Sequence, residues 1–252
     1  MVAALLAALT LLAPAAPAGA GAARPLVSIS AAPSRVALTG AATQRVEVTN
    51  VGTSAIVVSA SAEGLSLDAR GRPAVTRRSA PRSAAPWLRI SPASLSLRPG
   101  AAASVTIAST LPRRAEPGDH HALLLLASRP LARGGVNVRM RLGVRIVVRA
   151  PGRVVRRLVV AGLRVRHAGR ARLLEVTILN RGNVTETLPR GRLSVLLVRK
   201  GKVLARLVAD RRELLPRSRG VLSPTYSGRL RGPIIVRVEI GGGPRRSFRL
   251  RL

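Results

Sequence analysis

The stretch Val136–Arg149, which reads VNVRMRLGVRIVVR, decides the fold class of this chain. Apolar side chains occupy every second position from Val136 to Val148, and arginine fills most of the positions between them. Successive side chains of a β-strand point to opposite faces, so this ribbon predicts a strand with one apolar and one arginine-rich face. Gly143 predicts a bulge or bend that divides it. Because the apolar face needs a second sheet to cover it, the ribbon predicts the closing strand of a β-sandwich.

Short alternating segments separated by turns fill the chain on both sides of the ribbon, as is typical of sandwiches. A Pro-Gly break at residues 151–152 follows the ribbon, and a second set of such segments begins after it. In each half a predicted strand ends in an Asn-x-Gly turn, at Asn50 and at Asn180. We therefore predict an all-β protein with two immunoglobulin-like β-sandwich domains in tandem, residues 25–150 and residues 151–252.

Residues 1–24 predict a signal peptide for export. The segment from Val2 to Leu12 is apolar but too short to cross a bilayer core of about 30 Å as a helix, and small residues that suit cleavage follow it. A buried amino-terminal helix is the alternative. No later stretch approaches the roughly 20 apolar residues of a membrane span. We expect a secreted or cell-envelope protein, outside the cytoplasm, with no transmembrane span in the mature chain.

The charge of the chain is strongly one-sided. It contains 43 Lys and Arg against 10 Asp and Glu, for a formal net charge of +33, and both predicted domains are basic. Such an excess favours anionic partners and binding that weakens with salt. The chain has three aromatic residues, too few for a surface that stacks bases, so we expect no specific nucleic acid partner. Cysteine is absent, which excludes disulfides and suits a bacterial surface.

The motifs of catalysis and of metal or cofactor binding are missing from this sequence. Asp119, His120 and His121 stand at a predicted loop-to-strand junction. Adjacent histidines on an extended segment point to opposite faces, so they do not readily share one metal ion. We predict a protein that is not an enzyme and that needs no cofactor or metal.

A few residues are candidates for ligand binding. Trp87 follows residues 63–85, which lack periodicity and predict a long loop; its ring suits stacking on a sugar or anchoring a core of small residues. Asp119 and His120 suit ligand binding or the closure of a turn by side-chain to backbone hydrogen bonds.

The arginines of the ribbon are the strongest chemical feature of the sequence. We name Arg139, Arg141 and Arg145 as candidates for binding an anionic cell-wall polymer or peptidoglycan, because guanidinium groups pair with phosphate and carboxylate. A solvated face is the alternative for any such run of charge, since single exposed contacts contribute little.

A family resemblance rests on the order of several short motifs, namely Trp87, Pro92, Leu97-x-Pro99-Gly100, Pro112, Pro117-Gly118-Asp119-His120, Gly162-Leu163 and Asn180-x-Gly182-Asn183. This order resembles the WxL-interacting proteins of Gram-positive cell surfaces. The resemblance implies two immunoglobulin-like domains, the first binding peptidoglycan and the second docking a partner surface protein. It makes Asn180 and Asn183 candidates for partner binding. Members of that family usually end in a transmembrane helix, whereas this chain ends in the strand-like residues 247–252.

Two functions remain open at this level. The first is a protein of the cell envelope that binds cell-wall polyanion or peptidoglycan and scaffolds another surface protein. The alternative is a periplasmic pilus-type chaperone that acts by strand donation, with alternate apolar side chains of the ribbon offered to a client. Coverage of the ribbon's apolar face within its own sandwich favours the scaffold, and an open groove beside it favours the chaperone. Nonspecific nucleic-acid binding is a third hypothesis, opposed by the export signal.

Overall fold

A computed structural model describes most of the chain after the predicted signal peptide. The described residues are 25–133, 136–168, 171–226, 228 and 232–251. The predicted signal peptide, residues 1–24, lies outside them. Strands dominate this part of the chain, and its one helical element is the single 3₁₀ turn at Ala85–Trp87. No helix in the described segments is long and apolar enough to cross a membrane.

The first domain is a sandwich of two facing sheets. Its strands in chain order are β1 (Ile29–Ala32), β2 (Arg35–Thr39), β3 (Thr43–Asn50), β4 (Ile56–Leu67), β5 (Pro73–Thr76), β6 (Leu88–Ser91), β7 (Ser94–Leu97), β8 (Ala102–Ser109), β9 (Gly118–Ser128), β10 (Leu131–Arg133), β11 (Val136–Val138) and β12 (Arg141–Ala150). One sheet has the order β1-β3-β8-β6, and the other has the order β2-β12-β9-β4-β5 with β7 also paired to β4. Alternate apolar residues of both sheets, such as Val46 and Leu124, fill the space between them.

The ribbon forms β11 and β12 at the end of this domain. Strand β12 pairs antiparallel with β9 along its whole length and parallel with β2 over Arg145–Arg149. Val144, Ile146 and Val148 are buried in the core, as the alternation predicts. The short strands β10 and β11 continue the β9–β12 hairpin outwards.

Gly143 does not divide the ribbon. The pairing of β12 with β9 runs through Gly143 without a shift in register, and the ribbon is interrupted earlier, at Arg139 and Met140. Glycine at this position instead leaves room for a neighbouring side chain, since a Cβ there would lie 2.9 Å from a methyl carbon of Leu123 on the neighbouring strand. The close approach of a side chain, and not a bulge, explains this residue.

The second domain is also a sandwich. Its strands are β13 (Leu158–Ala168), β14 (Ala171–Asn180), β15 (Glu186–Leu188), β16 (Leu193–Arg199), β17 (Lys202–Val208), β18 (Arg212–Leu214), β19 (Arg219–Leu222), β20 (Thr225–Tyr226), β21 (Pro233–Ile240) and β22 (Arg246–Arg251). One sheet has the order β13-β14-β19 with β20 also paired to β14, another has the order β17-β16-β21-β22, and β15 pairs with β18. The core includes Ile178, Val195 and Val236. The predicted all-β fold of two immunoglobulin-like domains is confirmed.

The Asn-x-Gly turn has the same structure in both domains. Asn50 and Asn180 are fully buried at strand ends, and the side-chain oxygen of each accepts the N–H of the glycine two residues later. The side-chain amide of each donates to backbone carbonyls of the turn and of a neighbouring segment. The acceptors are the carbonyl oxygens of Ser54 and Leu97 for Asn50, and of Val184, Leu214 and Leu215 for Asn180.

We expect Asn50→Ala and Asn180→Ala each to lower the free energy of unfolding by roughly 3 kcal/mol. Each substitution leaves buried backbone groups without their partners, and each such group costs about 1–3 kcal/mol. Urea unfolding of the two variants measures the effect. The matched control is Gln44→Ala, at an exposed position of β3. Losses as small as the control's would show that these turns do not depend on the asparagine side chain.

Candidate functional site

Most of the residues predicted from the sequence to bind ligands or partners fall into two places. Asp119, His120 and Asn183 lie where the two domains meet, together with residues that the sequence did not single out. The arginines of the ribbon lie along β12 and the short interruption before it. The contacts at the domain boundary determine which of these charges remain available.

Asp119 is the centre of the domain boundary. Its carboxylate is buried and accepts two hydrogen bonds from Arg149, from Nε at 2.6 Å and from a terminal nitrogen at 3.1 Å. The backbone N–H of Thr185, in the second domain, donates to the same carboxylate at 2.8 Å. Burial opposes the charged form of Asp119, but the hydrogen bonds from Arg149 and Thr185 outweigh it and hold the pKa below its ordinary value. Asp119 therefore joins the domains as a carboxylate.

His121 lies beside this carboxylate and is almost completely buried. Its Nε2 forms a 2.9 Å hydrogen bond with the hydroxyl of Thr185. Burial is the main cause that lowers the pKa of His121 to about 4, and the positive charges of Arg145 and Arg35 act in the same direction, against the opposite effect of Asp119. The ring is therefore neutral at physiological pH, and it contributes to the boundary as an uncharged hydrogen-bonding group.

Trp87 and His120 pack together at the edge of the first core. Their ring centroids are 4.2 Å apart, and Trp87 is partly buried against the apolar side chains of that domain. The Nε2 of His120 hydrogen-bonds the carbonyl oxygen of Glu116 at 2.8 Å. Burial is the largest cause that lowers the pKa of His120. These contacts occupy both rings within the fold, and ligand binding by Trp87, Asp119 and His120 stays a prediction.

Asn183 connects the domains and the segment between them. Its side-chain amide donates to the carbonyl oxygens of Pro117 and Arg153, at 3.1 and 2.8 Å, and its side-chain oxygen accepts the N–H of Val155 at 2.7 Å. Its own carbonyl accepts the N–H of Asp119 at 2.8 Å. Asn183 therefore contributes to the domain boundary, whereas Asn180 lies in the buried turn described above. Partner binding by either residue stays a prediction.

Two arginines on neighbouring strands extend the boundary. Arg145 on β12 and Arg35 on β2 face each other in the parallel register, and both approach Glu213 of the second domain, at 2.8 and 3.3 Å. Sequence reasoning missed Glu213 and Thr185. Nothing in the local pattern around either residue indicates a partner more than 60 positions away.

The first part of β12, Arg141–Val144, differs from the rest of the strand because one of its edges is unpaired. Strand β2 covers β12 only over Arg145–Arg149, so Arg141–Val144 has no strand partner on that side among the described residues. We call Val138–Val144 the open edge. Its backbone is held from the other side by the hairpin with β9 and β10.

The open edge carries apolar side chains that the fold covers incompletely. Val138 is 42% exposed, and Met140 and Leu142 are partly exposed at the margin of the first core. The N–H of Ile29 on β1 lies 3.2 Å from the sulfur of Met140, so this margin lies between the edges of the two sheets. Arg139 and Arg141 are exposed and alternate with the apolar residues. The apolar face of the ribbon is thus buried after Gly143 and partly exposed before it.

Comparison with known proteins gives the following results. No family model matches the chain, and the search of curated proteins found no match. Among solved structures, the E. coli chaperone DraB is 13% identical, with 90% of this chain and 98% of that chain covered and a TM-score of 0.46. A chain in the structure of the Salmonella enterica SafA pilin in complex with the SafB chaperone is 17% identical (91% and 99% covered, TM-score 0.46).

A chain in the pre-assembly complex of CsuC and CsuE, from the archaic chaperone-usher pili of Acinetobacter baumannii, is 12% identical. The alignment covers 88% of this chain and 97% of that one, with a TM-score of 0.48. At such identities the likeness shows the fold alone, which is that of two immunoglobulin-like domains.

The predicted resemblance to the WxL-interacting proteins is wrong, since no family matches and the similar solved structures come from pilus chaperone systems. The prediction that the chain binds peptidoglycan or an anionic cell-wall polymer is wrong with it. The structure gives a physical reason, because the arginine face of the ribbon is partly neutralised within the molecule. Arg145 pairs with Glu213 of the second domain, and Arg149 pairs with Asp119 within the first domain.

Proposed function

We propose that this chain is a non-enzymatic chaperone that works outside the cytoplasm and binds a surface-protein subunit by strand donation. The observation that carries the proposal is the open edge, an unpaired backbone edge with incompletely covered apolar side chains next to a rigid sandwich. A client whose own sheet lacks a strand pairs its edge with Val138–Val144.

Backbone hydrogen bonds supply the first part of the affinity. An extended segment added to a sheet edge pairs its N–H and C=O groups with those of the edge strand, whatever the side chains are. Residues Arg141–Val144 of β12 are already held in an extended conformation by their pairing with Leu124–Ala127 on β9. Less conformational entropy is therefore lost when a client strand docks there.

Apolar contacts supply the second part. Val138, Met140 and Leu142 lie along the open edge, and each leaves apolar surface that a client strand can cover. Burying the remaining exposed area of such side chains contributes at roughly 25 cal/mol per Å². An incomplete client core gains the side chains that its own sequence does not provide.

The exposed arginines of the open edge determine which client side chains are favoured beside them. Arg139 and Arg141 are exposed on either side of Met140, and a client strand beside them would place its alternate side chains opposite these charges. Acidic residues there add about 0.2–1 kcal/mol for each cross-strand pair, and basic residues oppose docking. The proposed client strand is therefore apolar on one face and acidic on the other.

Photo-crosslinking in the exporting cell tests the proposal. A photoreactive phenylalanine analogue at position 139 is expected to trap a β-rich exported protein. The matched control carries the analogue at Arg45, an exposed position of β3 on the other sheet. Adducts that form equally at both positions, or that form at neither, would contradict strand donation at the open edge.

A further inference from the structure

The second domain has an unpaired strand edge of its own, at β17. This seven-residue strand is the outermost strand of the sheet β17-β16-β21-β22, and its outer edge has no strand partner in the segments that the structure describes. The proposed chaperone function uses β12 of the first domain and leaves β17 without a role. An edge of this length offers backbone donors and acceptors to any extended segment that reaches it.

Strand β17 is unusually apolar for a free edge. Val203, Leu204 and Val208 are 55%, 43% and 51% exposed, and they are three of the eight exposed large hydrophobic residues among the described positions. The pairing with β16 shifts at this point, since Leu197 pairs with Ala205 and Val198 pairs with Val203. Leu204 is the extra residue. The shift explains why adjacent apolar side chains are both exposed, because a bulge breaks the alternation of faces.

The charges of β17 favour an acidic partner over a second copy of this chain. Lys202 and Arg206 are exposed, and neither forms an ion pair among the described residues. A second copy of the chain would bring the same two cations alongside them, and residues 151–252 contain 25 basic against 5 acidic residues. Like charges across strands are unfavourable. Self-pairing at β17 is therefore opposed, and an acidic segment is favoured.

We infer that β17 docks an extended acidic segment of another protein that also carries apolar side chains. The segment adds a strand to the sheet, and its carboxylates pair with Lys202 and Arg206. Arg206 and Val208 lie on one face of β17, so an apolar side chain two positions from a carboxylate on the segment covers Val208. This partner is distinct from the client of the open edge, because the two edges lie in different domains. The chain then joins two proteins, one at each edge.

The test uses the full chain and a synthetic seven-residue peptide of glutamate and valine, in which a glutamate and a valine stand two positions apart, blocked at both ends. Amide resonances of Lys202–Val208 are expected to shift during the titration. The double variant Lys202→Glu/Arg206→Glu is expected to bind at this edge about tenfold more weakly at low salt, because attraction becomes repulsion. The control Arg164→Glu, exposed on β13 of the other sheet, is expected to bind about as the unaltered chain does.

Three results would overturn the inference: shifts confined to residues outside β17, unchanged affinity in the double variant, or association of the chain with itself through β17 in sedimentation. The peptide also suits the open edge, so the titration is repeated with Arg139→Glu/Arg141→Glu. That variant is expected to retain the β17 response. If in the unaltered chain the amide resonances of β17 shift and those of β12 do not, the result counts against the chaperone proposal and leaves the second docking edge in place. If those of β12 shift and those of β17 do not, the second docking edge is contradicted.

Discussion

A Gly118→Ala variant is expected to lose the docking of its two domains while each sandwich stays folded. Gly118 has a φ of 108°, which favours glycine, and a Cβ there would overlap the backbone carbonyl of Asn183 in the second domain. That carbonyl accepts the N–H of Asp119, so the overlap falls on the hydrogen bond that joins the domains. Because the obstacle is backbone, it cannot move aside as a side chain would.

The expected loss is about 3 kcal/mol in unfolding free energy, in the range of severe point mutations. Small-angle X-ray scattering is expected to show a larger radius of gyration, and proteolysis is expected to cut faster in residues 151–157. Gly100→Ala is the matched control, since Gly100 has a φ of 76° but no atom within 4 Å of a Cβ. Equal behaviour of the two variants would show that backbone strain, and not the contact with Asn183, is responsible.

The second large effect concerns pH. The pKa of His121 is lowered from 6.5 to about 4 in the folded chain, so the unfolded chain binds a proton between these values and the folded chain does not. The contribution of neutral His121 to stability is therefore fully present above about pH 6.5, and it is lost as the pH is lowered towards 4. A shift of this size corresponds to about 3 kcal/mol. Asp119 stays charged through this window, because its pKa is lowered too.

Urea unfolding at pH 7 and pH 4.5 measures this loss. His121→Gln is expected to reduce the difference between the two pH values, because glutamine can hydrogen-bond Thr185 without titrating. A further loss is expected in both chains at still lower pH. Because the pKa of Asp119 is lowered in the folded chain, its carboxyl takes up a proton more readily in the unfolded chain. If the His121→Gln variant shows the same pH dependence as the unaltered chain, the buried histidine is not its cause.

The sequence predicts the fold well where the determining pattern is local. The alternation of apolar and basic residues in Val136–Arg149 correctly indicates a sandwich strand, and the Asn-x-Gly turns mark strand ends in both domains. The prediction fails for residues 63–85, where β4 continues to Leu67 and β5 spans Pro73–Thr76. Backbone pairing builds those strands without a clear alternation of side chains, so their pattern resembles that of a loop.

The candidate site was harder to predict, because its contacts are long-range. Arg145 belongs to an obvious arginine face, but its pairing with Glu213 depends on how the second domain docks. The motifs at Trp87 and Gly118 misled the family prediction. Their roles here are packing against His120 and close approach to Asn183. The division of the ribbon into covered and open parts depends on where β2 stops pairing with β12.

Amide hydrogen exchange of residues 139–144 tests the central claim most directly, with the protein trapped by crosslinking at position 139 as the partner. Strand donation predicts that the amides of this segment that face the open edge exchange much more slowly in the complex. Those of Val138→Ser/Leu142→Ser, which removes partly exposed apolar side chains at this edge, gain less protection. Slower exchange elsewhere on the chain, with residues 139–144 unchanged, would contradict the account.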